Sequence, residues 1–283
     1  MFCYSPVAQP YVRYGVADAA GKIKHKTGVE LQGAPVMIHD TAITPKYSII
    51  FDMPVTFSLE RVMSGGPAFG WEPNNGTRIG ILPRYGDGAE IRWFDVATGF
   101  IFHAFNAWEE GDEVVIDACR TKQTSILGES GTPPSDEQAR FHRYRLNLTT
   151  GSVSESQVSA TPIDFPRINE AYVGVRNQYG YASRFHPDRG LLFDAIVKFD
   201  RDGERLDALE LNGKFTQEFV FAPRIGSRAE DDGYVVGFVH DEGRDETECW
   251  VIDAQRFTDG PVARIRTPHR VPYGFHSHWV SAA

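Results

Sequence analysis

Four times along the sequence a short run of alternating apolar and polar residues meets a turn and then resumes. Tyr11–Asp18 stops at Ala19-Ala20-Gly21-Lys22 and continues at Ile23. Phe141–Leu148 stops at Thr149-Thr150-Gly151-Ser152 and continues at Val153. Ile196–Asp200 runs into Arg201-Asp202-Gly203-Glu204 and continues over Arg205–Leu211, and Trp250–Asp253 is followed by a short polar break and Val262–Ile265. A two-residue period interrupted by Gly-containing or polar turns is the pattern of β-hairpins. Between these units lie Tyr47–Phe51, Arg92–Phe94, Glu113–Cys119 and Tyr234–His240, β-branched or aromatic runs of strand length. A helical period is confined to Thr56–Val62, with Ser58 and Glu60 near its start, and more weakly to Thr124–Glu129. Many short antiparallel strands imply an all-β sandwich, barrel or propeller. Recurrence of loosely similar hairpins over this length favours the propeller. Neither Gly nor Pro clusters into a linker, so residues 1–283 read as one domain.

Hydrophobic residues make up 41% and charged residues 24%, enough apolar material for a core and too much for a disordered chain. A net charge of −9 disfavours a broad electrostatic grip on nucleic acid or anionic lipid. Cys3, Cys119 and Cys249 are odd in number, far apart and without a CxxC pair. They support neither a disulfide framework nor a zinc knuckle and read as small buried hydrophobes or idle thiols in a reducing compartment. No run approaches the ~18 apolar residues of a membrane span. The opening Met1-Phe2-Cys3-Tyr4-Ser5-Pro6 lacks the basic and apolar regions of a signal peptide and reads like the middle of a strand.

Three of the nine histidines stand beside buried-looking apolar runs. His39 closes Ala34-Pro35-Val36-Met37-Ile38 and precedes Asp40; His103 follows Gly99-Phe100-Ile101-Phe102; His276 follows Val271-Pro272-Tyr273-Gly274-Phe275. A buried imidazole without a partner costs about 1–3 kcal/mol. Imidazoles delivered by different blades of a propeller can meet on its axis, where a metal ion satisfies all of them. Iron, copper, nickel and zinc all suit imidazole, so this chemistry does not choose among them.

The segments around these histidines resemble the carotenoid cleavage dioxygenase family, its plant-type branch in particular. The matching stretches are Val36-Met37-Ile38-His39-Asp40-Thr41-Ala42-Ile43-Thr44, Ile81-Leu82-Pro83-Arg84-Tyr85, Ile91-Arg92-Trp93-Phe94 and Phe102-His103-Ala104-Phe105-Asn106-Ala107-Trp108-Glu109-Glu110. Asp164-Phe165-Pro166-Arg167-Ile168-Asn169, Ala229-Glu230-Asp231-Asp232-Gly233-Tyr234 and Val271-Pro272-Tyr273-Gly274-Phe275-His276 follow in the family's order. The resemblance implies a seven-bladed β-propeller with a lid of loops and short helices, and an iron(II) ion on the axis held by four histidines. His39, His103 and His276 match the last three. The first lies in a TAHPK-like motif that has no counterpart here. On this resemblance the chain corresponds to the C-terminal part of a family member: an open arc with unpaired edges near Phe2–Val7 or on the Trp250–Ile265 blade, and a site exposed on one side.

The resemblance assigns further roles. Asp164 and Glu218 match carboxylates that orient ligand imidazoles. Glu109 and Glu110 are expected as structural acids near the site, and no residue beyond the metal site is assigned to catalysis. Phe102 and Phe275 match residues lining a substrate tunnel. The implied reaction is O2-dependent cleavage of a C=C bond in an apolar polyene, a carotenoid or apocarotenoid, to two carbonyl products with Fe(2+) as cofactor. Nucleic acid and an obligate protein partner are not implied. Peripheral membrane docking in the family uses apolar patches of the lid, and Thr56–Trp71 with its Phe57, Met63 and Phe69 is the candidate segment, which reads first as packed lid; the compartment is cytoplasmic or plastid-like. Three alternatives stay open: a lignostilbene- or phenylpropanoid-cleaving member of the same family, an isomerohydrolase-like member that shifts rather than cleaves bonds, and an inactive propeller fragment that binds apolar ligands or nothing.

Overall fold

Gly21 and Gly151 take positive φ (78° and 76°) at the turns the sequence marks, a region that only a residue without Cβ enters at no steric cost. The computed structural model describes residues 1–124, 138–200, 202 and 206–281. The first sheet is antiparallel, with β1 (Phe2–Tyr4), β2 (Val12–Ala17) and β3 (Ile23–Val29) in chain order. Next come β4 (Ala42–Ile43), β5 (Tyr47–Asp52), β6 (Val55–Phe57), the one-turn helix α1 (Leu59–Met63), β7 (Phe69–Trp71), β8 (Arg78–Pro83) and β9 (Arg92–Asp95). Here β4, β5, β8 and β9 make a four-stranded sheet, and β6 pairs with β7 as a separate ribbon.

The remaining described strands form one continuous hydrogen-bonded array. Its strands are β10 (Phe100–Glu110), β11 (Glu113–Thr121), β12 (Arg140–Asn147), β13 (Val153–Arg167), β14 (Tyr179–Phe185), β15 (Phe193–Asp200), β16 (Leu206–Glu210), β17 (Phe215–Pro223), β18 (Gly233–Asp241), β19 (Glu246–Asp253) and β20 (Pro261–Arg266). β13 is the crossover strand: Val153–Pro162 pairs with β12, and Ile163, Asp164 and Arg167 pair with β14.

Apolar clusters lie between successive layers of strands. Val12, Tyr14 and Val29 of the first sheet pack on Ile50 and Leu82 of the second. Ile49, Phe51 and Ile79 pack from the other face of the second sheet on Ala107, Ile116 and Tyr144. Phe105, Phe141, Phe165, Phe193 and Phe199 fill the next layer, and Tyr181, Phe219, Phe221 and Trp250 the last. Alternation along each strand supplies both layers, and each fully buried ring contributes roughly 1.5–3 kcal/mol. The fold is therefore all-β and propeller-type, with short helices confined to connections.

Several expectations need adjustment. The helix expected over Thr56–Val62 begins only at Leu59, because Thr56 and Phe57 pair with Gly70 and Phe69 in the ribbon. Ser58 caps it by accepting the Arg61 N–H at 3.2 Å. The polar break after Asp253 is a 3-10 segment, Ala254–Asp259. Cys119 is a buried hydrophobe, whereas Cys3 is exposed and Cys249 half-buried. Glu109 and Glu110 are structural acids but not neighbours of the histidine site. Glu109 pairs with Lys46 and Glu110 with Arg145, at the end of β10 that lies roughly 20 Å from His103 by strand rise. Phe57 and Phe69 pack on each other, ring centroids 5.8 Å apart, whereas Leu59 and Met63 are exposed. Most of Thr124–Glu129 and of the Arg201–Glu204 turn lies outside the described residues. Among the described residues, β1 and β20 each have one strand partner, and no helix is long and apolar enough to cross a membrane.

Candidate metal centre

His39, His103 and His276 come from three different settings. His39 sits in a loop behind the Val36–Thr56 bridge, with Ile38 buried beneath it. The adjacent Asp40 accepts the Thr41 N–H at 2.7 Å and the Ala104 N–H at 2.9 Å, which fixes this loop to β10. His103 lies in β10 between two register breaks, at Ile101/His103 and Ala104/Asn106. A bulge defeats the strict alternation of side chains and re-aims them. Both Phe102 and His103, consecutive residues, accordingly face the His39 ring, at centroid distances of 5.6 and 4.9 Å. His276 lies in the irregular segment after β20.

The three imidazoles converge. One ligand atom of each lies within 4.8 Å of the others, and the Nε2 atoms of His39 and His276 are 3.4 Å apart. Asp164 Oδ1 is 2.8 Å from His103 Nδ1, and Glu218 Oε1 is 3.4 Å from His276 Nδ1. A carboxylate that accepts the Nδ1–H fixes the tautomer whose Nε2 lone pair faces the shared point. His103 Nε2 is buried with no hydrogen-bond partner. An orphaned lone pair among imidazoles is what a first-row divalent ion satisfies, so the donor set fits such an ion and these three residues could hold it.

Charge follows the same geometry. Partial burial, then the neighbouring His103 and His276, hold the His39 pKa below its ordinary value. Burial also opposes protonation of His103, but the charge and hydrogen bond of Asp164, with Asp40 and Glu218, outweigh it and raise its pKa. Burial raises the Asp40 carboxyl despite its two N–H donors.

Phe165 joins the two sides of the site. It is a non-glycine residue at φ 53°, in the register break between Asp164 and Arg167, and such a conformation costs on the order of 1–3 kcal/mol. Asp164 Oδ1 supports the turn by accepting the Phe165 N–H at 2.8 Å. The ring stands 5.1 Å from His103 and 5.7 Å from His276. Beyond the histidines opens a cavity of about 310 Å³, lined chiefly by Phe102, Phe165, Phe185, Leu191, Phe193 and Phe275. Phe102 and Phe275 thus stand at this cavity, Phe275 on its open side and 68% exposed.

Sequence reasoning passed over Asp40, Phe165, Leu191 and Arg167. Adjacency to His39 is the one signal the sequence gives for Asp40. Arg167 lies in a stretch that matches the family, yet nothing local reveals that its guanidinium reaches Glu218 Oε1 at 2.9 Å and the Ser277 carbonyl, 51 and 110 residues away.

The family model described as "Retinal pigment epithelial membrane protein" matches residues 1–281. A carotenoid 9,10(9',10')-cleavage dioxygenase of Crocus sativus is 38% identical over 293 residues, covering 96% of this chain and 53% of that protein. Lignostilbene dioxygenase of Pseudomonas brassicacearum superimposes with a TM-score of 0.86 at 28% identity, over 94% of this chain and 59% of that one. Cobalt-substituted ACO of Synechocystis does so at 0.87 and 25%, over 96% of this chain and 58% of that one. The chain spans about half the length of the curated relatives it matches. With nearly every residue inside the family match, the chain belongs to the retinal pigment epithelial membrane protein family, the carotenoid oxygenases.

Proposed function

We propose that His39, His103 and His276 hold an iron(II) ion and that the protein is a dioxygenase cleaving a C=C bond of a carotenoid or apocarotenoid to two carbonyl products. The observation that carries this reading is the convergence of three imidazoles, within 4.8 Å, on the wall of a phenyl-lined cavity. Bound iron(II) supplies open coordination positions and the redox chemistry that lets O2 react with an alkene. Asp164 and Glu218 keep His103 and His276 in the Nε2-presenting tautomer. Phe102, Phe165 and Phe193 offer flat apolar walls that hold a polyene beside the histidines and exclude water from it. No proton-transfer residue is required of the chain, and the Crocus sativus relative and the cobalt-substituted Synechocystis structure support both the reaction class and a first-row metal. Exposed Leu59, Val62 and Met63 on α1 support peripheral contact with a membrane, the source of an apolar polyene.

A phenylpropanoid substrate is the second reading, favoured by the lignostilbene dioxygenase superposition. The test is to load the chain with Fe(II) and supply ¹⁸O2 with an apocarotenoid or, separately, a hydroxystilbene. Label in both carbonyl products of the apocarotenoid is the expected result. Cleavage of the stilbene alone selects the second reading, and cleavage of neither removes both.

A further inference from the structure

We infer that Arg167 is a positioning residue for His276, acting through Glu218 and Ser277, so that the short segment Asp164–Arg167 sets two of the three imidazoles at once. The inference rests on the metal-centre reading above and deepens it.

The segment that carries His276 has no strand partner, so its place depends on side chains that reach it. Glu218 is one: it is buried, it accepts the Ser277 N–H through Oε2, and its Oε1 faces His276 Nδ1. Arg167 is another. Its Nη2 donates both to Glu218 Oε2, at 3.0 Å, and to the Ser277 carbonyl, while Nε lies 2.9 Å from Glu218 Oε1 as an ion-pair contact without a hydrogen bond. Both peptide groups flanking Ser277 Cα are therefore held by side chains, as a neighbouring strand would hold them. Nη2 stands one bond farther along the side chain than a Lys ammonium, which has donors enough for both acceptors but not that reach.

Arg167 is also fixed from below. It closes the register break of β13, three residues after Asp164, and its backbone pairs with Tyr181 of β14. Asp164 grips His103 directly, Phe165 sets its ring against both His103 and His276, and Arg167 grips the His276 segment through Glu218. A shift of this turn moves both imidazoles together.

The test is a Co(II) titration of the chain, read by visible absorption, for wild type, R167M, R167K, H276A, H103A and the R167M/H276A pair. Thermal unfolding of the metal-free proteins is followed in parallel. R167M is expected to weaken Co(II) by about 10–100-fold, as loss of other groups behind a ligand does. R167K should fall between R167M and wild type, because the Lys ammonium keeps the charge beside Glu218 but stops one bond short of the Nη2 position that holds Glu218 and the Ser277 carbonyl together. In the H276A background R167M should cost nothing further. An equal loss in both backgrounds, or R167M affinity equal to wild type, overturns the inference. Should R167M not fold, R167K decides: wild-type affinity for R167K overturns the inference. Wild-type protein that binds no Co(II), or H103A that binds like wild type, removes the metal-centre reading and this inference with it. Affinity lost in H103A and H276A but intact in R167M removes the inference alone.

Discussion

The Asp40 carboxylate accepts the Ala104 N–H at 2.9 Å and so joins the loop that carries His39 to the strand that carries His103. Its other oxygen accepts the Thr41 N–H, so both face donors. Asn in its place has one oxygen, and its amide N–H would point at a second N–H. D40N is therefore expected to destabilise the fold nearly as much as D40A, by about 1–3 kcal/mol for the donor left without an acceptor. Urea unfolding measures this. D40N with wild-type stability would show that the loop is held by something else.

Asp164 serves two donors with one atom, His103 Nδ1 and the Phe165 N–H, each at 2.8 Å. D164N keeps a carbonyl oxygen there and loses only the charge, whereas D164A loses the acceptor and the support of the left-handed turn. The order of metal affinity is expected to be wild type, then D164N, then D164A, with the last about 10–100-fold below the first. Competition against a chelator reads it, and D164A binding as tightly as wild type would separate Asp164 from the centre.

The strands were legible because a two-residue period and Gly turns are local signals. Gly21 and Gly151 sit where the pattern put them. The convergence of His39, His103 and His276 rested on the family resemblance, since 64 and 173 residues separate successive members. What stayed hidden has a common cause. The bulges that aim Phe102 and His103 the same way come from pairing with β11, and Arg167 finds Glu218 only because β13 crosses from one sheet to the next. Neither is written in the neighbours along the chain. The one-turn helix was read too long for the same reason: β7 claims Thr56 and Phe57 by pairing, a contact no helical period reveals.

His240 gives a pH dependence separable from the metal. Burial, then the nearby Arg270, hold its pKa below the ordinary 6.5. Its Nδ1 meets the Thr247 hydroxyl at 3.1 Å, and its ring stands 4.4 Å from that of Tyr273. The unfolded chain binds the proton more tightly than the fold, so the contribution of His240 is present above about pH 6.5 and is lost as pH falls through the lower folded value. Metal-free protein should therefore lose stability on acidification below that point, with a shallower loss in H240Q. An H240Q profile parallel to wild type from pH 7 to 5 would assign the slope to other groups.

Asp52 and Arg78 form a buried ion pair between β5 and β8, with Arg78 Nε 3.0 Å and Nη2 2.8 Å from Asp52 Oδ2. Burial pushes the Asp52 carboxyl up, and Arg78 opposes it without cancelling it. Removing the cation leaves a charge with no water to solvate it, so R78M is expected to cost about 3–5 kcal/mol of stability. The double variant D52L/R78M should recover much of that loss, because neither charge then remains. Neither residue donates to or accepts from the three histidines, so Co(II) affinity should stay at its wild-type value in folded R78M. This separates two explanations for weak metal binding in D164A or R167M. If R78M loses stability and keeps its affinity, affinity lost elsewhere reports ligand placement. If R78M loses both in proportion, general loosening of the sheets suffices to open the centre, and the roles given to Asp164 and Arg167 fail together.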